Sequence, residues 1–206
     1  RVCVDRGERS FERFTGRRVT REFIQDIKNE GGFNDDWALS NKVIRDFGFR
    51  PRYREVVEYF QRLFLGENSD GLILREKWTA QNGLFERLAE SWRLAIFTGR
   101  TRAEARLTLD RCAPHLLFDP IVGNEEVENL KPAPDGILKV REVWPGLEAL
   151  YVGDTIDDAR SARAAGIDFI GVASRENTRR EELAALFRRE GARAVIESIN
   201  ELEHAL

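Results

Sequence analysis

The sequence of 206 residues contains no methionine, two cysteines and two histidines. Cys3 and Cys112 lie far apart, which argues against a disulfide framework. His115 and His204 have no partner at metal-ligand spacing, so we do not expect a zinc site. Because methionine is lacking even at position 1, we expect the natural N-terminus, or some internal residues, to be absent from this sequence.

Long apolar runs are lacking as well. No stretch approaches the roughly 20 residues that a membrane-spanning helix needs, and the start does not read as a signal peptide. The formal net charge is -3, with 42% hydrophobic and 33% charged residues. This balance indicates a soluble globular protein and favours neither nucleic acid nor an anionic membrane as a partner. We therefore expect a cytoplasmic protein, and the sequence leaves its oligomeric state open.

Residues 10–85 have a helical texture. Thr20 is placed to cap one helix, and Pro51 opens another. Asn34, Asp35 and Asp36 lead into a third helix that begins near Trp37. Their side chains either cap that helix or contact a substrate. We predict an all-helical subdomain over this region.

Strands and helices alternate after this region, which predicts βαβ units and a parallel sheet. The predicted strands are Arg93–Phe97, a short one framed by Leu116–Phe118 and Ile121–Val122, Ala149–Val152, Phe169–Val172 and Ala194–Ile196. A further short apolar run, Val2–Val4, ends in Asp5. The sequence thus predicts a doubly wound parallel α/β core from residues 1–9 and 86–206, with residues 10–85 inserted as a helical cap.

The most informative stretch runs from Ala149 to Asp158. Its apolar residues end abruptly at Gly153 and are followed by three aspartates. Charges just past the carboxyl end of a buried parallel strand lie where open α/β sheets bind ligands. Asp154 and Asp158 have the hard oxygen atoms that Mg²⁺ prefers. The role of Asp157 stays open between a further acidic ligand and a cap for the next helix.

Two other stretches carry groups suited to an anionic substrate. The strand before Thr98-Gly99-Arg100 ends in a hydroxyl, and the Thr98 side chain and the N–H groups of Thr98 and Gly99 can donate to the oxygen atoms of such a substrate. Lys131 precedes a helix opened by Pro134, and it is one of five lysines in the chain. It offers a compact positive charge to an anion. The simpler alternatives are a strand-end cap for Thr98 and a solvated loop position for Lys131.

These three stretches, in this order, resemble motifs of the haloacid dehalogenase-like hydrolases, in particular the phosphoglycolate phosphatase-like branch with a helical C1-type cap. The resemblance covers roughly Phe85 to Val172. It implies a Rossmann-like core and a Mg²⁺-dependent phosphatase that hydrolyses a small phosphorylated metabolite, either phosphoglycolate-like or sugar-phosphate-like, through an aspartyl phosphate. It also implies that Thr98 and Lys131 are catalytic, and that Thr98, Gly99 and Lys131 bind the phosphate.

The resemblance also implies a nucleophilic aspartate at the end of the first strand and a second aspartate two positions later. Asp5 matches the first and is also the implied third Mg²⁺ ligand beside Asp154 and Asp158. Position 7 is glycine, so the second is not matched. Three interpretations follow: residues have been omitted after Asp5, the chain lacks the second aspartate, or Val2–Asp5 corresponds to the segment after this motif. We favour an omission because the other three motifs are intact.

Three other functions compete with the phosphatase. A haloacid dehalogenase proper would need no Mg²⁺, and the pair Asp154 and Asp158 argues against it. A phospho-receiver domain would carry its acidic pair early in the chain, whereas here the carboxylates come last. A binding protein that kept the fold but lost the first motif remains open.

Overall fold

The computed structural model describes residues 2–33, 35–67 and 70–206, with side chains from Gly7 onward. The helices are α1 (Val2–Thr15), α2 (Arg21–Glu30), α3 (Asp36–Asp46), α4 (Tyr53–Leu65), α5 (Leu84–Ser91), α6 (Arg102–Cys112), α7 (Asp135–Val143), α8 (Ile156–Ala165), α9 (Arg180–Arg189) and α10 (Leu202–Ala205). The strands are β1 (Ile96–Phe97), β2 (Ile121–Val122), β3 (Leu150–Gly153), β4 (Asp168–Val172) and β5 (Ala194–Ile196). None of the helices in the described ranges combines the length and apolar character that crossing a membrane requires.

The chain opens with a helix where the sequence predicted a strand. Because Val2–Thr15 forms α1, the predicted strand Val2–Val4 is wrong, and Asp5 lies within a helix rather than at a strand end. The two valines favour a strand locally, but the helix continues to Phe11, which is only 1% exposed. Packing of this kind overrides the weak preference of a few residues. The side chain of Asp5 lies outside the described part of the structure.

The contacts divide the chain into two compact units, Arg1–Ile27 with Asp35–Lys77, and Lys28–Asn34 with Trp78–Leu206. The first unit is helical, and its core consists of apolar side chains from α1, α3 and α4, which include Phe11, Ile44, Val56, Phe60 and Phe64. Asp35 caps α3, since its carboxylate accepts the N–H of Trp37 at 2.8 Å, whereas Asn34 lies outside the described residues. The start of the chain therefore belongs to the helical unit and not, as predicted, to the α/β core.

The second unit is the predicted α/β core. β3, β4 and β5 form a parallel sheet in that order, and β1 pairs with β2 in a second parallel sheet. Adjacent residues of β4 face opposite ways, as the pleat requires. Phe169 packs with Leu183 and Phe187 of α9 on one face, whereas Ile170 packs with Leu84 of α5 on the other. Helices therefore cover both faces of the β3–β5 sheet, and the parallel α/β class is confirmed.

The core is not one continuous sheet, because β1 and β3 do not pair with each other. Among the described residues, β1 has a strand partner only in β2, and β3 only in β4. A cavity of about 710 Å³ is lined by Ala95 and Phe97 from the β1 side and by Leu150 and Tyr151 from β3. Each of these strands therefore leaves one edge without a strand neighbour next to this space.

Candidate active site

The end of β3 and the start of α8 form a tight polar turn. Thr155 and Asp158 make a capping box, in which the Thr155 hydroxyl accepts the N–H of Asp158 and the Asp158 carboxylate accepts the N–H of Thr155. Gly153 allows this close approach, because a Cβ at that position would lie 2.5 Å from the Cβ of Asp158. The predicted glycine–aspartate junction thus fixes a buried carboxylate at the carboxyl end of the strand.

Asp158 forms a buried ion pair with Lys131. Lys131 Nζ lies 2.7 Å from Asp158 Oδ1, and the two side chains are 6% and 5% exposed. Burial alone would raise the pKa of Asp158, but the charge of Lys131 and the hydrogen bonds from Lys131 and Thr155 outweigh it and lower the pKa. Lys131 is therefore not a solvated loop lysine. It is held in place by the carboxylate of the predicted acidic pair.

The carbonyl oxygen of Phe97 joins this pair to the end of β1. It accepts hydrogen bonds from Lys131 Nζ and from the hydroxyl of Tyr151, each at 3.1 Å. The single O–H of Tyr151 is shared between this carbonyl and Asp158 Oδ1, which also lies 3.1 Å away. Burial, followed by the charge of Asp158, raises the pKa of Tyr151 well above its usual range. Sequence reasoning missed Tyr151, because it was interpreted only as an apolar strand residue. A hydroxyl on a strand next to the acidic motif was the available signal.

Thr98 and Gly99 follow directly after β1, next to the Phe97 carbonyl. The N–H of Thr98 donates to Val122 O at 3.0 Å within the β1–β2 pairing, so the prediction that this N–H serves an anionic substrate is wrong. The hydroxyl oxygen of Thr98 accepts the N–H of Arg100 at 3.2 Å, which leaves its own O–H as a donor. The Thr98 side chain and the N–H of Gly99 therefore remain the candidate phosphate donors here.

Asp154 is the exposed carboxylate of the site. Although it reaches solvent, crowding by protein atoms and the charge of Asp158 raise its pKa, while Lys28 and Lys131 oppose the shift. A carboxylate that reaches solvent offers the hard oxygen atoms that a cation such as Mg²⁺ prefers. Both oxygens of Asp158 already accept hydrogen bonds. Asp154 therefore has the donor chemistry to hold Mg²⁺ directly, whereas Asp158 is engaged with Lys131.

Asp157 has neither of the roles left open for it, since Thr155 is the helix cap. Its side chain is buried and accepts N–H groups from Gly32 and Phe33, more than 120 residues earlier in the chain. Burial raises the pKa of Asp157, and the hydrogen bonds and Arg160 oppose this shift. Asp157 thus ties a distant loop to the start of α8.

Lys131, Asp158 and the end of β1 are joined by direct contacts. Thr98 follows β1 directly, and Asp154 lies between β3 and α8, four residues before Asp158. Within the described residues, no three acidic, histidine or cysteine side chains converge into a metal-binding group. Asp5 lies in α1 of the helical unit. The predicted roles of Asp5 as nucleophile and third metal ligand depended on a strand at Val2–Val4. The structure forms a helix there instead.

Residues 41–172 match the family described as haloacid dehalogenase-like hydrolase. The chain belongs to this family. The match covers more than half of the sequence and includes all three of the stretches that contain Thr98, Lys131 and Asp154. This confirms the resemblance inferred from those residues.

Similar proteins include a phosphoglycolate phosphatase from Cereibacter sphaeroides, 36% identical over 64% of this chain and 61% of its own length. An imidazoleglycerol-phosphate dehydratase from Phytophthora nicotianae is 31% identical over 78% of this chain but only 37% of its own length. The chain spans about half the length of the curated relatives it matches. Among solved structures, CbbY from Rhodobacter sphaeroides in complex with phosphate has a TM-score of 0.69 at 21% identity, over 96% of this chain and 89% of its own. At this identity the likeness shows the fold alone.

Proposed function

We propose that this chain carries the phosphate- and metal-binding part of a Mg²⁺-dependent phosphatase for small phosphorylated metabolites. The observation that carries the proposal is the buried Lys131–Asp158 pair at the carboxyl end of β3, joined through the Phe97 carbonyl to the end of β1. Carboxyl ends of parallel strands are where open α/β sheets bind ligands. The name of the phosphoglycolate phosphatase relative supports the same class of substrate.

The residues present suit charge stabilisation during phosphoryl transfer. Lys131 neutralises phosphate charge, and the Thr98 hydroxyl and Gly99 N–H donate to phosphate oxygens. Asp158 keeps Lys131 oriented. Mg²⁺, when bound at Asp154, supplies further positive charge to the phosphate.

The nucleophile of this reaction is proposed to lie on a strand that fills the space between β1 and β3. That space has a strand edge on each side, and its lining includes Phe97, whose carbonyl oxygen accepts a hydrogen bond from Lys131. A parallel strand placed there would end beside Lys131. Its terminal aspartate would attack the phosphorus and break the bond to the ester oxygen. The aspartate two positions later would protonate that oxygen, so that it leaves as the alcohol, and water would then hydrolyse the aspartyl phosphate to free phosphate.

The test adds the strand in trans. A synthetic peptide with four apolar residues followed by Asp-Val-Asp-Gly is mixed with the chain, and hydrolysis of p-nitrophenyl phosphate is measured with Mg²⁺ or EDTA. We expect Mg²⁺-dependent turnover with this peptide, and none with a peptide that has asparagine for the first aspartate or with the Asp154→Asn chain. A peptide that binds without producing turnover would contradict the proposal. Turnover by the chain alone would instead place the nucleophile within these 206 residues.

A second candidate is a binding protein that uses the same site without catalysis. One observation favours it. Among the described residues, β3 is the only strand whose carboxyl end is followed by aspartates, and these are Asp154, Asp157 and Asp158. No other strand end in this part of the chain presents an aspartate that could act as the nucleophile. This candidate predicts that the chain binds phosphate with Mg²⁺, while the peptide neither binds nor restores turnover.

A further inference from the structure

The ammonium group of Lys131 shares both of its acceptors with the hydroxyl of Tyr151. Lys131 Nζ lies 3.1 Å from the carbonyl oxygen of Phe97 and 2.7 Å from Asp158 Oδ1. The hydroxyl oxygen of Tyr151 lies 3.1 Å from each of the same two atoms. The four groups therefore form a closed ring, in which Tyr151 links the end of β1 to the start of α8.

Two aromatic rings lie beside the same ammonium group. Lys131 Nζ is 4.5 Å from the centroid of the Phe97 ring and 5.4 Å from that of the Tyr151 ring. A cation within about 6 Å of the face of an aromatic ring is attracted to it, and the attraction is stronger where water is excluded. The Lys131 side chain is only 6% exposed. The rings therefore stabilise the positive charge without using any of its N–H donors.

Close packing holds the two rings in place. Gly136 in the first turn of α7 allows the approach of the Phe97 ring, because a Cβ at that position would lie 2.2 Å from Phe97 Cδ2. The centroid of the Tyr151 ring lies 6.4 Å from that of Phe97 and 6.3 Å from that of Phe169, distances at which aromatic rings attract each other. Neither ring can therefore move away from Lys131 without displacing its neighbours.

These contacts leave one N–H of Lys131 for a ligand. A lysine ammonium group has three N–H donors. Phe97 and Asp158 accept two of them, and none of the residues that the structure describes accepts the third. Because the N–H bonds of an ammonium group are arranged tetrahedrally, two fixed acceptors also set the direction of the third bond. A donor aligned in advance in this way suits an oxygen atom of a phosphate.

We propose that Tyr151 is a positioning residue, which holds the ammonium group of Lys131 so that its third N–H donates to the substrate phosphate. This inference rests on the proposed phosphate site and deepens it. Tyr151 itself does not touch the phosphate, because its hydroxyl is engaged with Phe97 and Asp158. Without that hydroxyl, the two acceptors lose the donor that links them, and the third N–H of Lys131 is less well aligned.

Titration of inorganic phosphate into the chain in the presence of Mg²⁺ measures this alignment. Tyr151→Phe keeps the ring but loses the hydroxyl, and we expect it to weaken phosphate binding about three- to tenfold, the range for the loss of one hydrogen bond. Tyr151→Leu loses the ring as well and should weaken binding by a further factor of about three or more.

Ile196→Val is the matched control for a general loss of stability. Ile196 of β5 is 6% exposed and packs in the apolar cluster on the other face of the sheet from Tyr151. Removing one buried methylene group there costs a similar amount of stability to removing the Tyr151 hydroxyl. The phosphate affinity of this variant should be unchanged.

The NMR signals of Lys131 report its positioning directly. Labelling lysine with carbon-13 gives signals from only five ε-methylene groups, and Lys131→Met identifies the one of interest. In the unmodified chain we expect two distinct ε-proton signals, because the methylene group is held in one orientation beside two aromatic rings. Their separation should shrink in Tyr151→Phe and Tyr151→Leu, and stay the same in Ile196→Val.

Weaker phosphate binding together with a smaller separation of the Lys131 signals supports the inference. Unchanged affinity in Tyr151→Phe, or an equal loss in Ile196→Val, overturns it. Weaker binding with unchanged Lys131 signals also overturns it, because Tyr151 would then not act through the lysine. If the unmodified chain binds no phosphate, the proposed site fails and the role of the third N–H fails with it, even where the Lys131 signals show that Tyr151 holds the lysine.

Discussion

The two edges of β3 differ sharply. Toward β4, the strand pairs in parallel along its whole length. Phe169 of β4 packs against Phe187 of α9 on one face of this sheet. Toward β1, no strand pairing is formed in the described part of the chain, and a cavity lies there instead. On the β1 side, side-chain hydrogen bonds from Lys131 and Tyr151 make the link to β1 at the Phe97 carbonyl. Strand pairing and apolar packing therefore stabilise the edge of β3 that faces β4. At the other edge, a polar network at the carboxyl end of β3 links this strand to β1.

The largest expected effect comes from breaking the polar network at Lys131. Lys131→Met leaves the buried carboxylate of Asp158 without its cation, which typically costs about 3–5 kcal/mol. We expect the free energy of unfolding to fall by about that amount, as measured by urea denaturation.

The double variant Lys131→Met/Asp158→Leu is the matched control. Because it removes both charges, it should recover much of the lost stability without recovering phosphate binding. A single variant as stable as the unmodified chain would show that the pair contributes little to joining β1 and β3.

A matched pair of leucines compares the packed and open sides directly. Leu183 of α9 is 1% exposed, whereas Leu147, which lines the cavity, is 54% exposed. Leu183→Ala should lower the free energy of unfolding by about 2–5 kcal/mol, and Leu147→Ala should change it by no more than about 0.5 kcal/mol. If both variants lost the same unfolding free energy in thermal or chemical denaturation, Leu147 beside the cavity would be packed as tightly as Leu183.

Removing one hydroxyl should have a smaller effect. Tyr151→Phe loses the bonds to Phe97 and Asp158 but keeps the ring, so we expect a loss of about 1–2 kcal/mol in unfolding free energy. Tyr53→Phe, at a tyrosine of the helical unit that is 47% exposed, is the control and should be nearly neutral. If both substitutions cost the same, the Tyr151 hydroxyl does not stabilise the link.

The smallest effect is expected at an exposed ion pair on the packed side. Arg87 of α5 and Glu203 of α10 form two hydrogen bonds, of 2.8 and 2.6 Å, and the bond from Arg87 lowers the pKa of Glu203. A lowered folded pKa gives stability that is present above the ordinary glutamate pKa of about 4.3 and is lost as the pH falls through the folded pKa. Glu203→Gln should therefore be slightly destabilising at pH 7 and neutral in acid. A difference that grows in acid would contradict this sign.

The α/β half and its site were largely predictable, because local signals determine them. An apolar run ending in Gly153 and three aspartates predicts a strand, a turn and a helix, and the structure forms β3 and α8 there. Tyr151 and Asp157 could not be assigned, because their partners, Phe97 and Gly32, are remote in sequence and only the folded chain brings them together.

The start of the chain was predicted wrongly because its local signal disagrees with the packing of the folded chain. Val2–Val4 offers a local strand signal of three residues, while α1 is stabilised by burial of Phe11 further along. The helices that follow were identified correctly, because their caps are local. Thr20 accepts the N–H of Phe23, and Asp35 accepts that of Trp37.

The central claim is that Lys131, Asp154 and Thr98 form a phosphate site that depends on Mg²⁺. Isothermal titration of inorganic phosphate into the chain, with and without Mg²⁺, tests it most directly, because binding needs no nucleophile. We predict binding that is strengthened by Mg²⁺, with the Mg²⁺ effect abolished in Asp154→Asn and all binding abolished in Lys131→Met. Equal affinity in all three proteins, or no binding by the folded, unmodified chain, would contradict the account.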